Sequence, residues 1–470
     1  MIRENKTYDE LQLGDTAELK RLCTADDLYV FAHASGNHNP MHLPEHDGDG
    51  DGDPEAVAPA MWVGSLISAV LGNILPGPGT LYQSQHLEFR SRAHAGDELR
   101  VSVKVVAKEP QNIAVLETRV ERTTDGALIL EGEARVTAPA KKLSFDDLGV
   151  PGLTVQRHIH FERLVDKAAP LDPIPTAVIA PEEANSLGGA ILGAEASIIT
   201  PILIGSRAKI EAAAQELGKD ISGYELIDLD DHRMAAAKGC ALVHEGRARA
   251  LMKGHLHTDE LLGAVVKRET GLRTGRRLTH VFVMDVPGLD HPLLISDAAI
   301  NIDPDLETKV DIVQNAIELA ISLGMAEPKV GILSAVETVN PKIPSSVDAA
   351  ILSKMAERGQ IKHGFVDGPL AMDNAIDIEA ARTKGIKSVV AGRAEVLVAP
   401  NLDSGNMLAK ELTFIAHAEG AGVVLGAKVP IILTSRSDGD EARLASCAVA
   451  ALHQARMSGA VPTPKPEAAE

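Results

Sequence analysis

The sequence predicts two folded parts of different class, an α+β domain followed by a larger, two-lobed α/β domain. Three observations carry this. At 470 residues the chain exceeds what a single hydrophobic core organises. Within residues 8–138 a long apolar helical stretch precedes a series of alternating, strand-like runs. From residue 161 the pattern changes to short apolar strands that each give way to helix-length stretches. The expected bounds are 1–140 for the first domain, 141–160 for a linker, 161–460 for the α/β domain and 461–470 for a disordered tail of Pro, Ala and Glu.

In chain order, Thr24 to Ala34 has helical spacing and Ala56 to Leu71 is a second, longer apolar helix. Gln85–Phe89, Glu98–Ala107 and Asn112–Arg119 alternate as strands do, with Gly96-Asp97 as a turn between the first two. Beyond the linker, strands are expected at Thr176–Ala180, Ala241–Val243, Thr279–Met284, Val330–Leu333 and Val429–Leu433, with a helix over Leu306–Leu323. Such alternation builds a largely parallel sheet, and α/β sheets hold ligands in the crevice between their parts.

Composition narrows the function classes. Hydrophobic residues are 45% and charged residues 24%, as in folded domains, while aromatics are only 3%, so the cores must be aliphatic. A net charge of -20 argues against nucleic acid as a partner, because that binding neutralises phosphates with Lys and Arg. The apolar stretch Met61–Leu75, interrupted by Gly64, Gly72 and Asn73, falls short of a membrane span. The first residues are charged and polar, unlike a signal peptide, and Cys23, Cys240 and Cys447 are too far apart for a disulfide framework. A cytoplasmic location is expected.

Ser35-Gly36-Asn37-His38-Asn39-Pro40-Met41-His42 is the first chemical motif. With Phe31-Ala32, the helix Met61–Leu71, the run Leu75-Pro76-Gly77-Pro78-Gly79-Thr80, Tyr82 and Gly96-Asp97, it resembles the MaoC-like, hot-dog-fold (R)-specific enoyl-CoA hydratases. Hydration of an unsaturated thioester needs a base, an acid and donors to the enolate-like oxygen. The resemblance puts the family's histidine on His42 and its Asp on Asn37, and a common Gly on Ala60. An amide does not take a proton as a carboxylate does, so Asn37 and His42 are catalytic candidates of a crippled hydratase. A working hydratase and a module kept for acyl-CoA binding or assembly both stay open. The acidic run Glu45–Glu55 does not match the calcium-binding helix-loop-helix spacing and is read as a solvated, flexible insertion, with no metal assigned.

From Phe161 the chain carries Ala250-Leu251-Met252-Lys253-Gly254 with Thr258, Gly271-Leu272-Arg273-Thr274-Gly275, Ser296-Asp297-Ala298-Ala299-Ile300-Asn301, Asp367-Gly368-Pro369-Leu370 with Asn374, and Thr434-Ser435-Arg436. Together these resemble the phosphate acetyltransferase and phosphate butyryltransferase family. The resemblance implies a fold like that of isocitrate and isopropylmalate dehydrogenases, with the last segment returning to the first lobe. It also implies acyl transfer between CoA and phosphate, with both as substrates and no permanently bound cofactor. Arg436 matches the family's acyl-phosphate-binding Arg, whose planar guanidinium suits phosphate, and Ser435 the neighbouring hydrogen-bond donor. For the base that takes the CoA thiol's proton, Asp438 and Asp440 are both close, and Asp440 is taken. Lys253, Gly254, Thr258, Arg273, Asp297, Asn301 and Asn374 are expected to bind substrate. Arg273, with Arg276 and Arg277, would supply a charge the family places where Gly263 stands. His255 and His257 are read as satisfied polar residues. Both resemblances imply a homo-oligomer. No glycine-rich dinucleotide or P-loop motif is present.

Overall fold

The computed structural model describes residues 3–50, 52–145, 153, 155, 158–434, 438–461 and 464. They form two compact units, Met1–Val155 and Gln156–Glu470. Most of the expected tail lies outside the described residues.

The first unit runs β1 (Arg3–Glu4), β2 (Thr16–Leu22), α1 (Ala25–Ser35), a 3-10 turn (Pro40–His42), α2 (Ala60–Asn73), β3 (Leu81–Phe89), β4 (Glu98–Glu109), β5 (Ile113–Arg122), β6 (Leu128–Thr137) and β7 (Ser144–Phe145). Five strands make an antiparallel sheet in the order β2-β4-β5-β6-β3. Its inner face is legible in β4, where Leu99, Val101, Val103 and Val105 are buried on alternate positions. Helix α2 buries Trp62, Val63, Leu66, Ile67, Val70 and Leu71 in the same core. A central helix held by an antiparallel sheet is the expected hot-dog arrangement. Thr24 starts α1 with a capping box, its hydroxyl accepting from the Asp27 N–H while the Asp27 carboxylate accepts from the Thr24 N–H. Part of the expected linker belongs to this unit: β7 pairs with β1, and the buried Asn5 side chain bonds Lys141 O at 2.9 Å and the Leu143 N–H at 2.9 Å.

The second unit runs α3 (Ile159–Ala168), β8 (Ile174–Ile179), α4 (Ala184–Glu195), β9 (Ile199–Gly205), α5 (Arg207–Leu217), β10 (Glu225–Asp228), α6 (His232–His244), β11 (Ala250–Lys253), α7 (Thr258–Val265), β12 (Thr279–Asp285), β13 (Leu293–Ser296) and α8 (Leu306–Ser322). It continues with β14 (Lys329–Leu333), α9 (Pro344–Glu357), β15 (Phe365–Leu370), α10 (Met372–Ile376), α11 (Ile378–Thr383), β16 (Val396–Val398), α12 (Leu402–Phe414), β17 (Glu419–Leu425), β18 (Ile431–Ile432) and α13 (Asp440–Met457).

Its strands form one unbroken 11-stranded sheet in the order β10-β9-β8-β11-β18-β17-β12-β13-β16-β14-β15. Strands β10, β9, β8, β11 and β18 are parallel, and so are β13, β16, β14 and β15. Antiparallel pairing of β17 and β12 with their neighbours reverses direction at the centre. The C-terminal ends of the two parallel sets therefore lie on opposite edges of the ladder. The late strands β17 and β18 sit between β11 and β12, which returns the end of the chain to the first half of the sheet. The expected strand at Ala241–Val243 is instead the last turns of α6, whose Ala235, Ala236, Gly239, Cys240 and Leu242 are buried at helical spacing. Three apolar residues in a row are too short to separate the two periods. Among the described residues, no helix is long and apolar enough to cross a membrane.

Candidate functional site

In the first unit, the chain leaves α1 through a short polar turn into the 3-10 turn. The Asn37 amide is exposed, and its Oδ1 accepts the Asn39 N–H at 3.3 Å while the Asn37 N–H donates to Ser35 Oγ at 3.2 Å. His42 is half-buried, with Nδ1 2.8 Å from Val57 O. A carbonyl only accepts, so Nδ1 carries the proton and Nε2 is left with its lone pair. Ala60 is the first residue of α2, whose N-terminus has no side-chain cap, so its leading N–H groups are open donors.

The insertion after this turn is organised rather than loose. Glu55 accepts the N–H groups of Gly48 and Asp49 at 2.7 and 2.9 Å, and Asp47 accepts that of Gly52 at 2.8 Å. Ligand atoms of Asp47, Asp49 and Glu55 lie within 4.8 Å of one another, but Asp47 and Glu55 spend oxygens on this backbone. The carboxylates fold the loop.

In the second unit, β8 and β11 end side by side on one edge of the sheet. The Gly254 N–H donates to Ile179 O at 2.8 Å and the His255 N–H to Ala180 O at 2.6 Å, extending the ladder past the strands. A Cβ on Gly254 would lie 2.3 Å from Ala180 O and 2.4 Å from Ile179 O, so only glycine permits this approach. The ladder thereby delivers the His255 imidazole to the first turn of α4, where Nδ1 lies 2.7 Å from Glu183 Oε2. Glu183 is the N-cap of α4 and also accepts the Ser186 N–H.

Behind it, Glu182 is buried, bonded by the Ser206 N–H at 2.9 Å, Lys209 Nζ at 2.9 Å and His232 Nε2 at 3.2 Å. Burial alone would raise its pKa, but these three partners outweigh it and hold the carboxyl below the usual range.

A cavity opens on this edge, lined by Glu183, Asn185, Ser186, Lys253, Gly254, His255, Thr434 and Arg443. Ser435 and Arg436 lie outside the described residues, but the positions flanking that short segment are defined. The Arg443 side chain, only 3% exposed, donates from Nε to Asp438 O at 3.1 Å and reaches Thr434 Oγ1 at 3.5 Å, so it ties the two ends together.

Other expected binding residues are not gathered here. Thr258 starts α7, outside the cavity lining. Arg273 pairs with Ala427 in the turn between β17 and β18, at the edge opposite Lys253. Arg276 is held by Glu318 at 2.7 Å and by Asn315. Asp297 and Asn301 follow β13 on that opposite edge and build a turn. The buried Asp297 carboxylate accepts the N–H groups of Ala299 and Ile300 at 2.9 and 3.0 Å and the Asn301 Nδ2 at 2.6 Å. Asn374, in α10, is wholly buried with no hydrogen-bond partner for its amide among the described residues. Asp440, taken as the thiol base, is exposed on the first turn of α13 and outside the cavity, while Asp438 lines an adjoining one with Lys410, Phe414 and Glu419. An acid there complements the positive end of an 18-residue helix.

Glu183, Asn185, Ser186 and Arg443 were not singled out from the sequence, and His255 was set aside. A pair of carboxylates, Glu182-Glu183, between a strand and a helix was the available signal. The three thiols are buried, and burial pushes Cys23 and Cys447 up to about 12 and Cys240 to about 11, which removes them as nucleophiles.

Comparison with known proteins agrees with this division. Residues 229–451 match the family model described as phosphate acetyl/butaryl transferase, and residues 12–126 the one described as MaoC like domain. The chain is 59% identical over 300 residues to a phosphate acetyltransferase of Rhizobium meliloti, covering 64% of this chain and 95% of the relative. It is 42% identical over 255 residues to a phosphate butyryltransferase of Clostridium acetobutylicum, covering 54% of this chain and 85% of the relative. A branched-chain phosphotransacylase structure from Enterococcus faecalis V583 aligns with TM-score 0.53 and 32% identity, over 60% of this chain and 99% of that one.

Proposed function

Because the chain belongs to the phosphate acetyl/butaryl transferase family, we propose that its second unit interconverts acyl-CoA plus phosphate with acyl phosphate plus CoA. Acetyl is the first acyl group to test, given the name of the 59% identical relative, and butyryl the second. One observation supports this most: Lys253 and Arg443 line a single cavity with Thr434, the residue immediately before Ser435 and Arg436. Sulfur adding to an acyl carbonyl builds negative charge on oxygen while phosphate leaves as an anion, and fixed cations stabilise both. In this reading Arg436 holds the phosphate, Ser435 donates to the carbonyl oxygen, and no enzyme nucleophile takes part.

The same reading takes the second unit's fold as related to isocitrate and isopropylmalate dehydrogenases, and the protein as a homo-oligomer using CoA and phosphate without a resident cofactor. The first unit is an acyl-CoA-binding or assembly module whose hydration chemistry is crippled at Asn37. Bifunctional action is the second reading, favoured by the free lone pair on His42 Nε2.

The test is acyl phosphate formation from acetyl-CoA and phosphate. Arg436→Ala is expected to abolish it with the melting curve unchanged, and full retained activity would reject the assignment.

A further inference from the structure

Thiol attack needs a thiolate, and free thiols titrate near ~8.5, so a base must sit at the sulfur. Asp440 does not line the cavity, but His255 does. Its Nδ1 lies 2.7 Å from a Glu183 carboxylate oxygen, an ion-pair approach outside hydrogen-bond alignment, and the negative charge there favours the tautomer with the proton on Nδ1 and the lone pair on Nε2. Nε2 makes no hydrogen bond among the described residues.

Both groups are fixed from below. The Gly254 ladder sets the His255 backbone, and the N-terminal N–H of α4 holds Glu183. A histidine tethered by a carboxylate on one nitrogen and open on the other is the arrangement of a general base.

Resting on the phosphotransacylase reading above, we propose that His255 is the catalytic base for the CoA thiol and that Glu183 is its positioning residue. His255 Nε2 takes the thiol proton as sulfur bonds to the acyl carbon. The carbon–oxygen bond to phosphate then breaks, phosphate leaves with the electron pair, and the imidazolium proton passes to it. In reverse, His255 takes a proton from phosphate as its oxygen attacks the thioester, and returns it to the departing thiolate. Glu183 stabilises the imidazolium in both directions. The charged groups facing it are Glu183 from α4, Lys253 from β11 and Arg443 from α13, with Glu182, Lys209 and His232 behind.

The experiment is CoA-dependent cleavage of acetyl phosphate by the full chain across pH, with melting curves alongside. At pH ~7 His255→Ala is expected to lose ~10²-fold or more in kcat. Most of that loss should disappear near pH ~9, where the thiol ionises unaided. Glu183→Gln should lower kcat at pH ~7 with KM little changed, and Glu183→Asp should recover part of the loss.

A folded His255→Ala variant with the wild-type rate at pH ~7, or with an equal loss at both pH values, overturns the assignment. If that variant does not fold, Glu183→Gln decides, and a wild-type kcat in it overturns the assignment. A wild-type chain silent in this assay overturns the phosphotransacylase reading itself and the base with it, which separates the two failures.

Discussion

Two histidines, one in each unit, bring Nδ1 close to an acceptor and make no hydrogen bond through Nε2 among the described residues, yet the acceptors differ. His42 leans on the backbone carbonyl of Val57 and His255 on the carboxylate of Glu183. A carbonyl fixes the ring and its tautomer. A carboxylate also stabilises the positive ring that forms once a proton is taken. In the proposed reading, His255 therefore has a charged neighbour and His42 a neutral one. Asn37 sharpens the contrast, since the position where the resemblance expects a carboxylate bears a neutral amide that serves the local turn.

The largest expected effect tests this contrast directly. Asn37→Asp should raise crotonyl-CoA hydration by ~10²–10⁴-fold, the usual range for one general acid–base group. An Asp oxygen can accept the Asn39 N–H as the amide oxygen does, so the turn is retained. Hydration by the wild-type chain at an ordinary enzymatic rate would break the comparison, leaving His42 as a sufficient base.

A second difference is where histidines are buried. None of the described histidines in the first unit is buried, whereas His160, His280 and His453 are in the second. Burial pushes His453 down to about 4, Glu318 opposing and Arg456 assisting, and its Nδ1 lies 3.0 Å from Ser322 Oγ. Its folded pKa lies below the unfolded value of ~6.5, so between those values the unfolded chain binds more protons and acid destabilises. Stability is therefore whole above ~6.5 and falls by roughly 3 kcal/mol from this residue as the pH approaches ~4. Calorimetry of the full chain should show the second unit's transition dropping across that window, less so in His453→Gln. An acid shift of equal size in that variant would remove the explanation.

What could be read from the sequence follows the same division between local and long-range chemistry. Alternation in β4 and the helical spacing from Thr24 are local, and so were visible. The Met-Lys-Gly run at Lys253 falls where β11 ends beside β8, because its glycine answers a contact between adjacent strands. Arg273 lies away from Lys253 because it pairs with Ala427 in the hairpin of β17 and β18, a contact far along the chain that local pattern does not reveal. Asp297 and Asn301 look like ligands in sequence, but the backbone they serve becomes visible only in the fold. The pairing of Glu183 with His255 was hidden for the same reason. His255 was set aside because a metal partner was sought nearby in sequence, whereas its charged neighbour is the residue that caps α4.

Asp440 is the smallest expected effect and separates proximity in sequence from proximity in the site. It lies close to Ser435 and Arg436 along the chain, yet it is exposed on the leading turn of α13, beside Glu441 and after Gly439, which gives no side-chain cap. A negative side chain there compensates the helix's unpaired N–H groups, an effect of ~0.3–1 kcal/mol. Asp440→Asn should therefore lower the second unit's stability by no more than that, with the loss shrinking in added salt as the charge is screened. Acyl phosphate formation should stay within about twofold of wild type, far less than the ~10²-fold of a lost base. A large fall in kcat with an unchanged melting curve would return the base to this aspartate and take it from His255, because one thiol proton needs one acceptor.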